Sequence, residues 1–192
     1  MRITQEDKEN IDDLVSALKK GAVLVLPTDT VYGLICDATN KKAVEKIFKI
    51  KRRSKEKPLP VFVDSISMAK KYATFGNKDE IFLKDKWPGA TTVVLQKKDG
   101  LAKLVYKNDT IALRQPDYGM ILKIIGLLKK PLAQTSANIS GIETPTDIDE
   151  VVKDFIKGDV QPDIVVGAGI LPKRSPSVII DLTEEDLKIL RR

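Results

Sequence analysis

Short apolar runs alternate with helix-spaced segments along this chain, and that alternation constrains the fold more than any other feature. Ile11, Leu14, Val15 and Leu18 recur at helical spacing, so residues 6–20 are expected to form an amphipathic helix. Gly21 is expected to end it. The run 22–26 is continuous, apolar and too short for a helix, which fits a buried strand. Pro27 to Asp37 reads as a turn-rich segment. Val44, Ile47 and Phe48 mark a second helix that runs into the basic stretch Lys51 to Lys57. A short strand is expected over 58–63, confined to an edge or to its start by Pro58 and Pro60. Helices follow over 65–73 and 79–86. Strands rich in Thr, Val, Ile and Leu follow over 91–96 and 110–114. Residues 118–129 are apolar on more than one side, the mark of a largely buried helix. A strand over 131–135 precedes a helix over 147–156, where the Asp147 to Glu150 spacing suits a capping box. Strands over 163–166, 177–181 and 187–190 complete the pattern. Interleaving of this kind gives an α/β fold, a twisted mixed central sheet flanked by helices. No repeat, low-complexity tract or linker divides residues 1–192, so one domain is expected.

Composition narrows the chemistry. The chain has 192 residues and no histidine. An imidazole base is therefore excluded, and with it Ser-His-Asp or Cys-His hydrolysis and His-based zinc sites. The single cysteine, Cys36, can make neither an internal disulfide nor a multi-thiolate metal site. No metal-binding residues are expected. Lys and Arg number 33 against 27 Asp and Glu, a net charge of +6. That surplus suits anionic partners such as nucleotides, RNA or acidic lipid, and it also fits an ordinary solvated surface. The polar, charged start from Met1 to Asn10 is unlike a signal peptide. No apolar run approaches the roughly 18 residues of a membrane span. A cytoplasmic protein without membrane contact is expected.

Four segments could carry chemistry. The first, Leu26 to Leu34, reads LPTDTVYGL. It leaves a buried strand with Thr28 and Thr30 at the exit, where ligands of open α/β sheets sit. Its ordinary reading is a turn in which Thr28 or Asp29 bonds its own backbone. The second, Lys51 to Lys57, holds five cations in seven residues at a helix end. That suits phosphate, or simply the negative end of the helix dipole. Pro58-Leu59-Pro60 then fixes the backbone immediately after the charges. In the third, a strand from Thr110 ends in Arg114, before Pro116; a guanidinium there can grip a carboxylate, or pair with a surface acid. The fourth, Pro131 to Gly141, runs from an apolar strand into Gln134, Thr135, Ser136, Asn138 and Ser140. With no histidine, such neutral groups suit binding better than covalent catalysis. Gly167-Ala168-Gly169 is a turn rather than a dinucleotide fingerprint. The segment 173–177 either lines an anion site or forms a basic loop.

Together these segments resemble the YrdC-type threonylcarbamoyl-AMP synthase family in its single-domain form, in the family's order from Gly21 to about Leu182. The matching pieces are LPTDTVYGL, Lys51 and Arg53 in K-x-R with KPL behind them, WPGATTVVL at 87–95, IALRQP at 111–116, Ser136 and Asn138 in S-x-N, and SPSVIIDL at 175–182. The resemblance implies a YrdC-like fold with a concave basic cavity. It implies a nucleotidyltransferase that makes threonylcarbamoyl-AMP and pyrophosphate from L-threonine, bicarbonate and ATP. The product would pass to a tRNA-modifying transferase complex for t6A modification next to the anticodon. It implies that Thr30, Arg114 and Gln134 contact L-threonine. Lys51, Arg53, Lys57, Thr110, Ser136, Asn138, Thr144 and Arg191 would contact ATP, with Lys51 and Arg53 closest to the chemistry. ATP would enter as substrate with Mg2+, and no tightly bound cofactor is implied.

Such a reaction needs no histidine. Threonine's amine and bicarbonate give a carbamate, already an anionic nucleophile, and the protein must align two anions and neutralise the transferring phosphoryl group. The chain departs from the family pattern in three places. Phe62 stands where some relatives carry a histidine that contacts threonine. Arg191 is followed by Arg192 rather than glycine. The second domain of longer members is not expected. An alternative reading uses the same basic cavity for tRNA or double-stranded RNA binding, or for ribosome assembly, which requires few aromatics.

Overall fold

The structure is a computed structural model and describes residues 1–6, 10–184 and 186–191. The first half of the chain forms β1 (Arg2–Gln5), α1 (Ile11–Lys19), β2 (Leu24–Leu26), β3 (Gly33–Asp37), α2 (Lys41–Lys51), β4 (Val61–Phe62), α3 (Ile66–Tyr72), β5 (Ala73–Thr74) and α4 (Asn77–Lys86). The second half forms β6 (Thr91–Lys97), a 3-10 turn (Lys103–Val105), β7 (Tyr106–Lys107), β8 (Thr110–Arg114), α5 (Gly119–Leu128), β9 (Leu132–Ser136), α6 (Ile148–Ile156), β10 (Ile164–Gly167), β11 (Val178–Asp181) and β12 (Lys188–Arg191). The strands join in one sheet, ordered β1-β10-β2-β3-β9-β4-β8-β6-β11-β12, with β5 added to β6 and β7 to β8. Pairing is parallel for β1/β10, β10/β2, β4/β8 and β6/β11, and antiparallel for β2/β3, β3/β9, β4/β9, β6/β8 and β11/β12. The α/β class and the mixed sheet are therefore as the alternation indicates.

Caps explain where the helices begin. Asn10 accepts from the Asp12 amide at 3.0 Å to start α1, and Asn40 accepts from the Ala43 amide at 3.1 Å to start α2. The start of the first expected helix, residues 7–9, lies outside the described residues. Gly21 follows the end of α1 at a φ of +87°, and a Cβ there would lie 2.9 Å from Asn40 Nδ2. The turn needs glycine both for its backbone and for the approach of α2. At α6 the capping box is not made: Asp147 accepts from the Asp149 amide at 2.9 Å instead.

Four strands depart from the sequence expectation. β3 lies inside the segment that reads as turn, because Pro27 to Gly33 is dense in turn formers. Paired on both sides by β2 and β9, its five residues are all buried. The short, polar β1 takes its conformation from pairing to β10 rather than from an apolar pattern. The two-residue strands β5 and β7 are likewise defined by their partners.

The core includes Leu14 and Leu18 of α1 and Ile121, Ile124 and Ile125 of α5, packed with the buried strands β2, β3 and β10. On β8, Ile111 and Leu113 are buried, while Thr110 and Ala112 on the opposite face are half-buried. Arg114 shares that second face by the two-residue period of a strand.

Candidate active site

Leu26 pairs with Gly33, so the six residues 27–32 close the β2–β3 hairpin. Thr28, Asp29 and Thr30 are nonetheless buried. Thr28 behaves as an ordinary turn residue: its hydroxyl donates to the Val31 carbonyl at 2.7 Å and accepts from the Thr30 amide at 3.2 Å. Asp29 does not. Its Oδ2 accepts from Arg114 Nη2 at 2.6 Å and from the Asp117 amide at 3.1 Å. Sequence reading assigns Asp29 to turn chemistry, and its only signal is its place between two threonines.

Arg114, 2 % exposed, ends β8. Its Nε donates to the Gly89 carbonyl at 2.8 Å, and its Nη1 donates to Thr30 Oγ1 at 3.4 Å. Phe62, opposite Arg114 in the β4/β8 register, carries its ring 5.7 Å from the guanidinium carbon. Phe62 thus packs against the arginine itself. Gly89 has a local reason within WPGATTVVL: a Cβ there would lie 2.8 Å from the Lys86 carbonyl oxygen. Burial pulls the guanidinium below its usual pKa, the Asp29 carboxylate opposes that shift, and the Arg191 charge adds to it.

A second cluster lies at the end of α2. Arg52 is in the left-handed region, with φ of 51°, so the helix stops between Lys51 and Arg53. Lys51, 2 % exposed, donates to the Ser136 carbonyl at 2.7 Å, the Asn138 carbonyl at 3.0 Å and Asn138 Oδ1 at 2.7 Å. Ser136 Oγ also donates to Asn138 Oδ1, at 2.6 Å. Arg53 is held away from the helix by the Lys57 and Pro58 carbonyls, at 2.9 and 3.2 Å. Burial, aided by the Arg53 charge, pulls the Lys51 ammonium down to about 7. Burial also lowers Arg53.

The two clusters flank one loop. Ser136 pairs with Gly33, and the Ala137 amide donates to the Tyr32 carbonyl at 2.8 Å, so the β9 exit is tied to the loop that carries Thr30. The side beyond Arg114 is closed by β11 and β12. There Arg191 donates through Nε and Nη2 to the Ser177 carbonyl at 3.1 and 2.8 Å, and Ser177 Oγ lies 2.8 Å from Thr92 Oγ1. Arg174 donates to the Asp29 carbonyl at 3.0 Å, which brings the basic 173–177 loop onto the same hairpin.

The structure therefore brings Thr30 to Arg114, and Lys51 to Ser136 and Asn138. Gln134 sits half-buried on β9, two residues before Ser136 on the same face. Thr110 starts the strand that Arg114 ends, and its hydroxyl donates to the Lys107 carbonyl at 2.8 Å. Lys57 is exposed and meets Arg53 through its backbone. Thr144 lies in the loop between β9 and α6, apart from the hydrogen bonds of either cluster. Arg192 is outside the described residues. A cavity of about 710 Å3 opens elsewhere, beside Lys41, Glu45, Lys55 and Tyr106, and includes neither cluster. Sequence reading passes over Thr92 and Gly89 as individual residues and gives Asp29 only a turn role, since each acts through a partner distant in the chain.

The model of the family Sua5/YciO/YrdC, described as "Telomere recombination", matches residues 16–192. The chain belongs to the Sua5/YciO/YrdC family. It is 35% identical over 187 residues to a Methanocaldococcus jannaschii protein provisionally named threonylcarbamoyl-AMP synthase, covering 97% of this chain and 87% of that one. It is 34% identical over 176 residues to the threonylcarbamoyl-AMP synthase of Pyrococcus abyssi, covering 91% of this chain and 51% of that protein. The P. abyssi Sua5 structure in complex with L-threonine matches with a TM-score of 0.90 and 31% identity, covering 100% of this chain and 57% of that one. This Sua5/YciO/YrdC chain thus spans about half the length of its P. abyssi relative. Among the described residues, no helix is long and apolar enough to cross a membrane.

Proposed function

We propose that this protein is an L-threonylcarbamoyladenylate synthase, a nucleotidyltransferase that consumes L-threonine, bicarbonate and ATP and releases pyrophosphate. The observation that carries this reading is the pair of clusters on either side of the 27–32 loop, Arg114 with Thr30 and Lys51 with Ser136 and Asn138. One offers a buried guanidinium at a strand end, suited to a carboxylate. The other offers a buried ammonium beside neutral donors and acceptors, suited to a nucleotide phosphate. Relatives named for this activity, and a related structure holding L-threonine, support the assignment.

In this reading, the threonine carboxylate binds Arg114 and its side-chain hydroxyl lies near Thr30 and Gln134. The amine and bicarbonate combine to a carbamate and water. A carbamate oxygen then attacks the α-phosphorus of ATP, and the bond to the β,γ-pyrophosphate breaks. Lys51 and Arg53 neutralise charge on the phosphates. Lys57, Thr110, Thr144 and Arg191 extend the nucleotide contacts, and Ser136 and Asn138 fix both Lys51 and the nucleotide. Mg2+ arrives on ATP as part of the substrate. The product is an activated acyl group for a tRNA-modifying transferase complex, and the protein acts in the cytoplasm in this reading. The direct test is mass analysis of a reaction containing ATP, Mg2+, bicarbonate and L-threonine. Threonylcarbamoyl-AMP supports the reading; hydrolysis of ATP without that adduct refutes it.

A further inference from the structure

Arg114 is not a bare cation. Its charge is matched by Asp29 at 2.6 Å, with side chains 2 % and 5 % exposed. Such a buried pair presents little net charge to an incoming anion, so a plain carboxylate gains less from it than from an isolated arginine. The pairing is also one-sided. Oδ2 of Asp29 takes both donors, from Arg114 Nη2 and the Asp117 amide. Oδ1 is buried and has no hydrogen-bond partner. Buried carboxylate oxygens are rarely left so, because the group has given up water without replacing it. Of the five Arg114 N–H groups, three are assigned: to Gly89, to Asp29 and, at the long distance of 3.4 Å, to Thr30. The pair therefore has spare donors on its cation and a spare acceptor on its anion, side by side.

We infer that Asp29 is the specificity-determining and positioning residue of the carboxylate subsite, making it complementary to a zwitterionic α-amino acid rather than to a simple carboxylate. This rests on the synthase reading. The substrate carboxylate takes the remaining Arg114 donors, and the substrate ammonium supplies the donor that Oδ1 lacks, with a small local shift to uncover it. A ligand with both charges leaves neither member of the pair unmatched. A ligand lacking the amine adds a second carboxylate to an arginine already neutralised and leaves Oδ1 orphaned. Rejection by an unpaired buried group discriminates strongly. For reaction the ammonium first loses its proton to solvent; the free amine and bicarbonate then give the carbamate and water. The positive group beside Asp29 has become negative, so Asp29 then repels the group that must move to the α-phosphate. Arg174, bonded to the Asp29 carbonyl, and the Asp117 amide hold the aspartate in register.

The test compares L-threonine with its analogue lacking the amine, 3-hydroxybutyrate, as a competitive inhibitor. In the wild type, the Ki for 3-hydroxybutyrate is expected to exceed the KM for threonine by about 100-fold. Asp29→Asn should raise the threonine KM about tenfold, leave the ATP KM within about threefold, and narrow the ratio of Ki to KM about tenfold. A simple structural defect would lower the melting temperature and impair both substrates with the ratio unchanged, and that result overturns the inference. If Asp29→Asn does not fold, Asp29→Glu keeps the charge and displaces the oxygens: the amine preference should persist while the threonine KM rises, and an unchanged KM counts against the positioning role. The wild type alone is also decisive, since equal competition by 3-hydroxybutyrate and threonine overturns the inference. Pyrophosphate release that ignores threonine in the wild type would sink the synthase reading itself. Threonine-dependent release with an unaltered ratio in Asp29→Asn would sink only the role of Asp29.

Discussion

The Lys51 ammonium donates to Asn138 Oδ1 at 2.7 Å, and this contact joins the end of α2 to the exit of β9. The two residues are 87 positions apart. The K-x-R and S-x-N motifs are thereby halves of one construction. The helix end supplies the cation, and the strand exit supplies its acceptors.

Replacing Lys51 by methionine keeps much of the volume and removes the donor that serves the Ser136 carbonyl and both oxygens of Asn138. The expected loss of stability is about 2 kcal/mol, the scale for buried acceptors left unpaired. Turnover of ATP should fall about 100-fold, as for removal of a group that stabilises transition-state charge. Thermal unfolding and steady-state kinetics check the two effects separately. Full activity in Lys51→Met would exclude Lys51 from the phosphate chemistry.

The Lys51 pKa of about 7 gives a pH signature. Its folded value lies below the ordinary lysine value of 10.5, so between about 7 and 10.5 the unfolded chain holds a proton that the folded chain lacks. The contribution of Lys51 to stability therefore rises with pH through that window, and is lowest below it. Denaturation of wild type and Lys51→Met across pH 6 to about 10 reads this as a widening difference. A bound polyphosphate favours the ammonium, so ATP binding near pH 8 should take up a proton. Calorimetry in buffers of different ionisation enthalpy measures that uptake, and no uptake would contradict it.

The two arginines should divide by substrate. Arg53→Ala removes the group placed by the Lys57 and Pro58 carbonyls and should raise the ATP KM about tenfold with a smaller change for threonine. Arg114→Gln should act mainly on threonine. It should also cost about 3 kcal/mol, because the buried Asp29 carboxyl would lose its ion-pair partner. Equal effects on both substrates in both variants would undo the division.

Much of this site is legible in the sequence because its motifs sit where strands and helices end. Thr30, Lys51, Arg114 and Ser136 each follow a recognisable apolar run or helical repeat. The pairings between motifs are not legible, since Lys51 with Asn138 and Asp29 with Arg114 are joined by strand order, which β3 helps to set. β3 itself is hidden behind a segment dense in turn formers, although its pairing to both β2 and β9 makes it central. Composition alone leads no further than a basic, histidine-free chain, and the α/β class comes from the alternation of apolar runs with helix-spaced segments.

Phe62 shows how a departure from a family pattern can be read once its neighbours are known. Its ring lies against the Arg114 guanidinium, so Phe62→Leu should weaken threonine use a few-fold, matching a cation–π contribution of about 1 kcal/mol. ATP affinity should hold. The KM values for both substrates check this, and an unchanged threonine KM would mean that the ring only fills space.

The most direct measurement of the central claim is pyrophosphate release from ATP by the purified protein, with L-threonine and bicarbonate each present or omitted. The expected result is release that requires both. Release indifferent to both, or absent under every condition, would contradict the synthase assignment.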